Sequence, residues 1–208
     1  SSAVAKELQG RNPNLTLSPL TDLTRTVLFP TSLNQETKEL IITSTDDNNK
    51  KASVKDPYTK IVVLDVSSHV MRDFSKNLDT AFNESDGVFT SDGESMFYTR
   101  NEFSSIRETK RAKQPNNVLI YEARMNDEGE WQNLGPVSFN FRGYFNGHPA
   151  LSVDERFIYF TSNANHANKM DIYRVPRFED GSFGQAEALG PEINSPSNEG
   201  FPFLTKDA

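Results

Sequence analysis

The stretch HPALSVDERFIYFTS (148–162) decides the fold, because it repeats an earlier part of the chain. Residues 86–100 read DGVFTSDGESMFYTR, and the two stretches align at a spacing of 62 residues, with Asp92 in the place of Asp154. Each stretch has two short apolar runs separated by a turn that contains this aspartate. Such runs around a polar turn predict an antiparallel hairpin.

A second shared pattern follows each hairpin. Residues 118–136 and 170–191 both contain an Ile-Tyr pair, then a Gly turn with an aromatic residue, and then Leu-Gly-Pro. The closing residues 201–208, FPFLTKDA, match the first run of the hairpin again. The unit is therefore about 52 to 62 residues long and contains four apolar runs.

An earlier and more divergent copy precedes these two. Residues 40–44 take the place of the second run, residues 60–66 that of the third, and Asn77-Leu78 that of the fourth. In the last copy, the four runs are expected near 148–152, 156–162, 170–175 and 183–189. Each run is short, rich in Phe, Tyr, Ile and Val, and bounded by turn residues, as strands are.

Four short antiparallel strands repeated at this period predict an all-β fold, a β-propeller of four-stranded blades. The expected organisation is an N-terminal segment or linker (1–24), a degenerate blade (25–80), two further blades (83–140 and 145–198) and the first strand of another (200–208). Because propellers close with four to eight blades, two interpretations are open. The chain is part of a larger propeller, or residues 1–24 complete the last blade and close a small ring.

The repeated segments also resemble a known family. GHPALSVDERFIYFTSN (147–163), MDIYR (170–174) and GSFGQAEALGPEINSPSNEGFPFL (181–204) are similar to the WD-like propeller repeat of TolB-type proteins. The version they resemble is found in cell-envelope proteins of Bacteroidetes, often joined to OmpA-type modules. The resemblance implies an extracytoplasmic, periplasmic or envelope-associated binding or scaffold module. Its implied partners are envelope proteins, for example those of a secretion or gliding assembly.

Charge and composition narrow the function classes. The formal net charge of -7 disfavours nucleic acid as a partner, because phosphate carries the same sign. No apolar run approaches 18 residues, so direct membrane insertion is not expected. The chain has no cysteine, which excludes disulfides, thiolate metal sites and a cysteine nucleophile.

The sequence contains no catalytic, metal or cofactor motif. Its histidines, His69, His148 and His166, have no spacing typical of zinc ligands. His148 holds a repeat position that is Asp86 in one copy and Phe201 in another, which argues against a fixed chemical role there. No Gly-x-Ser-x-Gly elbow and no Gly-rich phosphate loop are present. We therefore expect a non-enzymatic protein that needs no cofactor.

The alternative is a carbohydrate-active propeller, either a glycan lyase or a sialidase-like hydrolase. The segments 127–131 and 179–183 resemble the aspartate box of sialidase propellers. An aromatic residue after a Gly turn is also what an outer hairpin needs to anchor its last strand. A lyase would be expected to hold a metal through histidine near the central channel, whereas a scaffold would have an apolar channel.

The loops predict where binding occurs. In a four-stranded meander, connections alternate between the two ends of the blade, so the links between strands two and three share an end with the blade-to-blade connectors. This loop-rich end would carry the connections 45–59, 101–117, 136–147, 163–169 and 190–200. Loops on a rigid scaffold are common recognition sites. The candidate binding residues are Tyr58, Phe103, Arg107, Lys110, Arg111, Lys113, Arg142, Tyr144, Phe145, His148, Asn165 and His166.

The repeat also predicts the core. Residues at equivalent strand positions are expected to pack between adjacent blades. They are Phe89, Phe97, Leu119, Tyr121, Trp131, Leu151, Ile158, Phe160, Ile172 and Phe183.

Overall fold

The computed structural model describes residues 30–34, 39–46, 58–68, 70–80, 82–102, 117–166 and 169–205. All regular structure among them is β, in three four-stranded antiparallel sheets. The first sheet contains β1 (Pro30–Asn34), β2 (Glu39–Asp46), β3 (Tyr58–Asp65) and β4 (Met71–Asp73). The second contains β5 (Glu84–Phe89), β6 (Ser95–Asn101), β7 (Val118–Met125) and β8 (Trp131–Pro136). The third contains β9 (Asn146–Leu151), β10 (Phe157–His166), β11 (Lys169–Pro176) and β12 (Glu187–Ala188).

Each sheet is a meander in which the strands follow chain order, and the three sheets follow one another along the chain. The strand β5 contacts β1, β2 and β3 of the sheet before it, and β9 in turn contacts β5, β6 and β7. The first strand of a sheet therefore lies against the preceding sheet. This arrangement confirms the predicted β-propeller, and we call the sheets the first, second and third blades.

The blades are joined by two apolar clusters. The strand β6 contributes side chains to both clusters. Met96 and Tyr98 pack toward the first blade, whereas Phe97 packs toward the third. Successive side chains of a strand point to opposite faces, so a strand buried on both faces is apolar throughout. Phe97 lies in one cluster with Ile158 and Phe160 of the third blade, and all three are fully buried.

Most of the predicted core residues belong to these clusters. Phe97, Tyr121, Trp131, Ile158 and Phe160 are buried members. Half-buried side chains packed against the clusters are Phe89, Leu119, Leu151 and Phe183. Ile172 is buried but belongs to neither cluster.

Both predicted hairpins are present, and their turns use the repeated aspartate. In the β5–β6 turn, Asp92 Oδ1 accepts hydrogen bonds from the Thr90 hydroxyl (2.5 Å) and the Glu94 amide (2.8 Å). In the β9–β10 turn, Asp154 Oδ1 accepts them from Ser152 Oγ (2.7 Å) and the Arg156 amide. The hydroxyl donors hold the pKa of both aspartates below the usual range. The repeated aspartate is therefore a turn residue, as predicted; Asp207 lies outside the described residues.

The fourth strand of the first blade was predicted at Asn77-Leu78, and that prediction is wrong. The carboxylate of Asp65 accepts hydrogen bonds from the amides of Ser67 and Ser68, both at 2.8 Å, and so closes a tight turn directly after β3. The chain reverses early, and β4 pairs with β3 at 71–73. Leu78 instead lies buried in the connector to the second blade.

Two other boundaries differ from prediction in the third blade. The expected fourth run, 183–189, forms a strand only at Glu187–Ala188, with an isolated bridge between Arg177 and Phe183. Pro176 has no amide hydrogen to donate, and its carbonyl accepts from Gly184 instead of continuing a regular ladder. The expected long connection 163–169 is mostly strand, because β10 continues to His166.

No helix in the described part of the chain is long and apolar enough to cross a membrane.

Candidate functional site

Three residues at one repeat position have an unusual backbone conformation. Asp86, His148 and Phe201 have φ values of 53°, 53° and 55°, in the left-handed region that non-glycine residues rarely adopt. Pairing of β5 with β6 is interrupted between Ser85 and Val88, where Asp86 lies, and β9 is interrupted in the same way around His148. Such interruptions redirect a side chain out of the regular strand pattern, and they are common next to functional sites.

A threonine of the preceding blade holds each of the first two residues. The amide of Asp86 donates to Thr43 Oγ1 at 3.1 Å, and the amide of His148 donates to Thr99 Oγ1 at 2.9 Å. Both threonines are buried. The backbone of Gly147 comes so close to Thr99 that a Cβ there would lie 3.1 Å from Thr99 Cγ2 and 2.9 Å from the ring of Phe145. Glycine at this position therefore permits the close approach of the two blades.

The three side chains form a row that crosses from blade to blade, which we call the axial row. His148 Nε2 lies 3.8 Å from Asp86 Oδ2, and the imidazole stacks on the ring of Phe201 with centroids 3.7 Å apart. The ring of Phe145 is 5.4 Å from the imidazole on another side. The side chains of Asp86 and His148 are 13% and 18% exposed, whereas Phe201 is 55% exposed. The row is thus largely desolvated at its polar end and open at its aromatic end.

Burial opposes charge at the polar end of the row. It raises the pKa of Asp86, although the neighbouring His148 and a hydrogen bond from Ser85 Oγ act in the other direction. Burial lowers the pKa of His148, against the attraction of Asp86. His148 Nδ1 is buried and has no hydrogen-bond partner among the residues that the structure describes. Burial therefore favours the neutral imidazole, and among the described residues His148 is the one ion-pair partner of Asp86.

A second polar group lies in the second blade, two residues before Asp86 in β5. Glu84 pairs across the sheet with Arg100, and its carboxyl accepts a hydrogen bond from Thr80. Burial raises the pKa of Glu84 to about 8. The guanidinium of Arg100 lies 3.9 Å from the centre of the Tyr121 ring and 4.5 Å from that of Phe82, within cation–π distance. Glu84 is therefore mostly protonated at neutral pH, and the cation beside it contacts aromatic rings.

An asparagine clamps each of two blade-to-blade connectors. Asn140 accepts a hydrogen bond from the amide of Ile120 (2.9 Å) and donates to the Ile120 and Val137 carbonyls. Asn194 makes the same contacts with Ile172 and with the Leu189 carbonyl. Each asparagine follows a Leu-Gly-Pro motif of the repeat. The repeat therefore marked both positions, but these hydrogen bonds were not predicted from the sequence.

The structure describes part of the predicted binding set. Arg142 and Tyr144 are exposed in the connector before β9, and Phe145 and His148 contact each other in the axial row. The amide of Asn165, near the end of β10, donates to the Tyr173 hydroxyl at 2.9 Å. The backbones of Tyr58 and His166 lie at the start of β3 and the end of β10. The predicted residues outside the described part of the chain are Phe103, Arg107, Lys110, Arg111 and Lys113.

Asp86 and Phe201 were not predicted as neighbours of His148. The signal was present, because the repeat aligns all three at one position. Because the three residues differ in chemistry, the sequence argued against a fixed chemical role for the position. The structure instead places the three side chains next to one another. No group of three or more potential metal ligands occurs among the described residues.

Comparison with known proteins finds similarity only at the level of structure. No family model matches the chain, and no curated protein matches it. TolB from Acinetobacter baumannii superposes with a TM-score of 0.45 and 15% identity, over 78% of this chain and 32% of that one. A puromycin-hydrolyzing peptidase of Mycobacterium tuberculosis superposes with a TM-score of 0.47 and 14% identity, over 80% of this chain and 24% of that one.

A third similar structure is an endo-arabinase from Bacteroides thetaiotaomicron. It superposes with a TM-score of 0.48 and 13% identity, over 85% of this chain and 66% of that one. The chain thus spans about a third of the length of TolB and about a quarter of that of the peptidase. With TM-scores and identities this low, the three similarities carry no argument about what this chain does.

Proposed function

We propose that this chain is a non-enzymatic binding module of a bacterial cell-envelope protein, and that its loop-rich end contacts a protein partner. The observation that carries the proposal is the axial row. Two blades each supply a partly exposed side chain from a left-handed position fixed by a buried threonine, and Phe201 adds an aromatic residue that is more than half exposed. Backbone strain of this kind, held by its surroundings, clusters at sites of ligand contact.

The surroundings of the row fit recognition. Arg142 and Tyr144 are exposed in the connector that leads to His148, and the connector is clamped by Asn140. Aromatic residues and arginine are enriched among the anchors of protein interfaces. A rigid sheet that presents such groups on a connector fixed by hydrogen bonds loses little conformational entropy on binding.

The resemblance of the repeat to TolB-type envelope proteins supports the proposed setting. In that setting the chain lies in the periplasm or at the cell envelope, and its partners belong to an envelope assembly such as a secretion or gliding apparatus. An OmpA-type module elsewhere in the same protein would anchor it to peptidoglycan.

The test compares the two ends of the blades. One variant carries Arg142→Glu and Tyr144→Ala, and a second reverses Arg107, Lys110 and Arg111 to Glu. The control carries Asp127→Lys and Glu128→Lys, exposed positions in the β7–β8 turn at the opposite end. Immobilised proteins are exposed to an envelope extract of the source bacterium, and bound proteins are identified by mass spectrometry. We expect the first two variants to lose a partner that the control retains; loss only in the control would refute the proposed face.

The Asp86–His148 pair favours one second candidate, a carbohydrate-active enzyme. A carboxylate beside a neutral imidazole is able to transfer protons to and from a substrate. Incubation with polyanionic, sialylated and arabinan glycans, with and without divalent cations, tests this activity. Product formation that is lost in His148→Asn would establish the enzyme and overturn the non-enzymatic proposal.

A further inference from the structure

We infer that the axial row binds a cationic side chain of the protein partner, either the ammonium of a lysine or the guanidinium of an arginine. The inference rests on the proposed function and names the chemistry that its site recognises. Asp86 would supply the negative charge, and Phe201 and His148 would supply the flat surfaces beside it.

Asp86 provides the carboxyl group that such a ligand requires. Its carboxylate accepts a hydrogen bond from Ser85 Oγ at 2.9 Å, and its ion-pair contact among the described residues is with His148 alone, at 3.8 Å. Burial keeps that imidazole neutral at neutral pH. A desolvated carboxylate without a full countercharge is destabilised, and a cation that approaches it removes this cost.

The aromatic end of the row suits the same ligand. Phe201 stacks on His148 with one side of its ring, and 55% of the residue remains exposed. A cation within about 6 Å of a ring centre is attracted by the negative face of the ring. Lysine and arginine combine such a charge with an apolar stem, so they fit a row that is acidic at one end and aromatic at the other.

The composition of the row distinguishes this ligand from a metal ion and from an anion. The described residues contain no group of three or more potential metal ligands, so a metal would find only Asp86 and His148 here. An anion would be repelled by Asp86. An organic cation needs only one carboxylate, because its alkyl stem gains stability from apolar contact.

The experiment uses the full chain and two small probes of similar shape. N-acetyl-lysine methylamide carries the ammonium, and N-acetyl-norleucine methylamide has a similar side chain without it. Each is titrated at neutral pH while the ring signals of His148 and Phe201 are followed by NMR. We expect saturable shifts with the lysine probe and none with the norleucine probe. Equal shifts with both probes would overturn the inference, as would shifts with Zn²⁺ or Ca²⁺ but not with lysine.

The matched variants are Asp86→Asn and Asp127→Asn. Both remove one carboxylate, but Asp127 is exposed in the turn at the opposite end of the blade. Asparagine tolerates the left-handed conformation at position 86, so the fold should be retained. The first variant should lower affinity for the lysine probe about tenfold, the effect expected when a charge-assisted contact is lost. Unchanged affinity in Asp86→Asn would refute the inference.

His148→Asn keeps a residue that tolerates a positive φ and serves if Asp86→Asn does not fold. It removes the ring that stacks on Phe201 and should also lower the affinity for the lysine probe. Unchanged affinity would refute the inference. The extract assay separates the two proposals. If Arg142→Glu with Tyr144→Ala loses the partner while Asp86→Asn retains it, the proposed function stands and the cation site is wrong.

Discussion

The hydroxyl oxygen of Thr99 in the second blade accepts a hydrogen bond from the backbone amide of His148 in the third blade, at 2.9 Å. Thr43 and Asp86 repeat the same contact between the first and second blades, at 3.1 Å. The contact satisfies an amide that the interrupted strand leaves unpaired. It therefore links neighbouring blades and also keeps the left-handed residue in place.

Thr99→Val should destabilise the protein because it leaves the His148 amide without its acceptor. A buried donor without a partner costs about 1–3 kcal/mol, and valine preserves the shape of threonine. The measurement is the free energy of unfolding in urea. Thr99→Ser keeps the acceptor and is the control; equal losses in both variants would show that methyl packing, rather than the hydrogen bond, matters at this position.

Glu84 should make stability depend on pH. Its folded pKa of about 8 is above the ordinary value of 4.5, so the folded state binds the proton more tightly than the unfolded state. The stabilisation is complete below about pH 4.5 and is lost as the pH rises to about 8. Burial and Asp79 favour the proton, whereas Thr80 and Arg100 oppose it, and Tyr98, with a pKa of about 12, stays neutral throughout.

Glu84→Gln keeps the neutral shape and removes the titration. The difference in stability between variant and parent should be constant below about pH 4.5, and the variant should gain progressively relative to the parent as the pH approaches 8. Denaturant unfolding at several pH values measures this difference. Glu128→Gln, at an exposed site, is the control variant. A pH-independent difference between Glu84→Gln and the parent would mean that burial does not raise the pKa of Glu84.

Glu155 should respond differently to glycine and to alanine. It has a φ of 56° at the turn position where the second blade has Gly93, and its carboxylate accepts a hydrogen bond from the Ser91 amide of that blade. Both substitutions lose the contact between blades, but only glycine relieves the left-handed strain, which costs roughly 1 kcal/mol. Glu155→Gly should therefore melt at a higher temperature than Glu155→Ala.

Glu128 is the matched control for this pair, because it is exposed in a turn and does not have a positive φ. There glycine should be no more stable than alanine. If the alanine variant at position 155 melts at the same temperature as the glycine variant or at a higher one, the left-handed conformation of Glu155 does not destabilise the turn.

Phe160→Ala should cause the largest loss of stability in this set. The side chain is fully buried between the second and third blades, where its ring lies 5.2 Å from that of Phe139. Truncation of a buried Phe costs about 3–5 kcal/mol. Calorimetry should show a clearly lower melting temperature, whereas Phe178→Ala, at a residue that is 51% exposed, should change it little. A small change in the melting temperature of Phe160→Ala would mean that the Phe160 ring does not contribute to the core.

The repeat alone determined the blades, the two hairpins and most of the core. These depend on local signals: Asp92 and Asp154 close turns through contacts with residues two positions away, and alternation along β6 assigns Met96 and Phe97 to opposite faces. Such signals are present in the chain before any distant contact forms, and their repetition at a regular spacing reinforces each one.

Only the tertiary structure decided where Asp86, His148 and Phe201 meet. Their spacing of 62 and 53 residues identifies them as equivalent, but equivalence predicts no contact until neighbouring blades pack closely. The fourth strands were mispredicted for a different reason: Asp65 and Pro176 set their pairing through local contacts that the repeat alignment did not consider. Contacts between equivalent positions of successive blades depend on how the sheets pack, and a pattern along one strand does not contain that information.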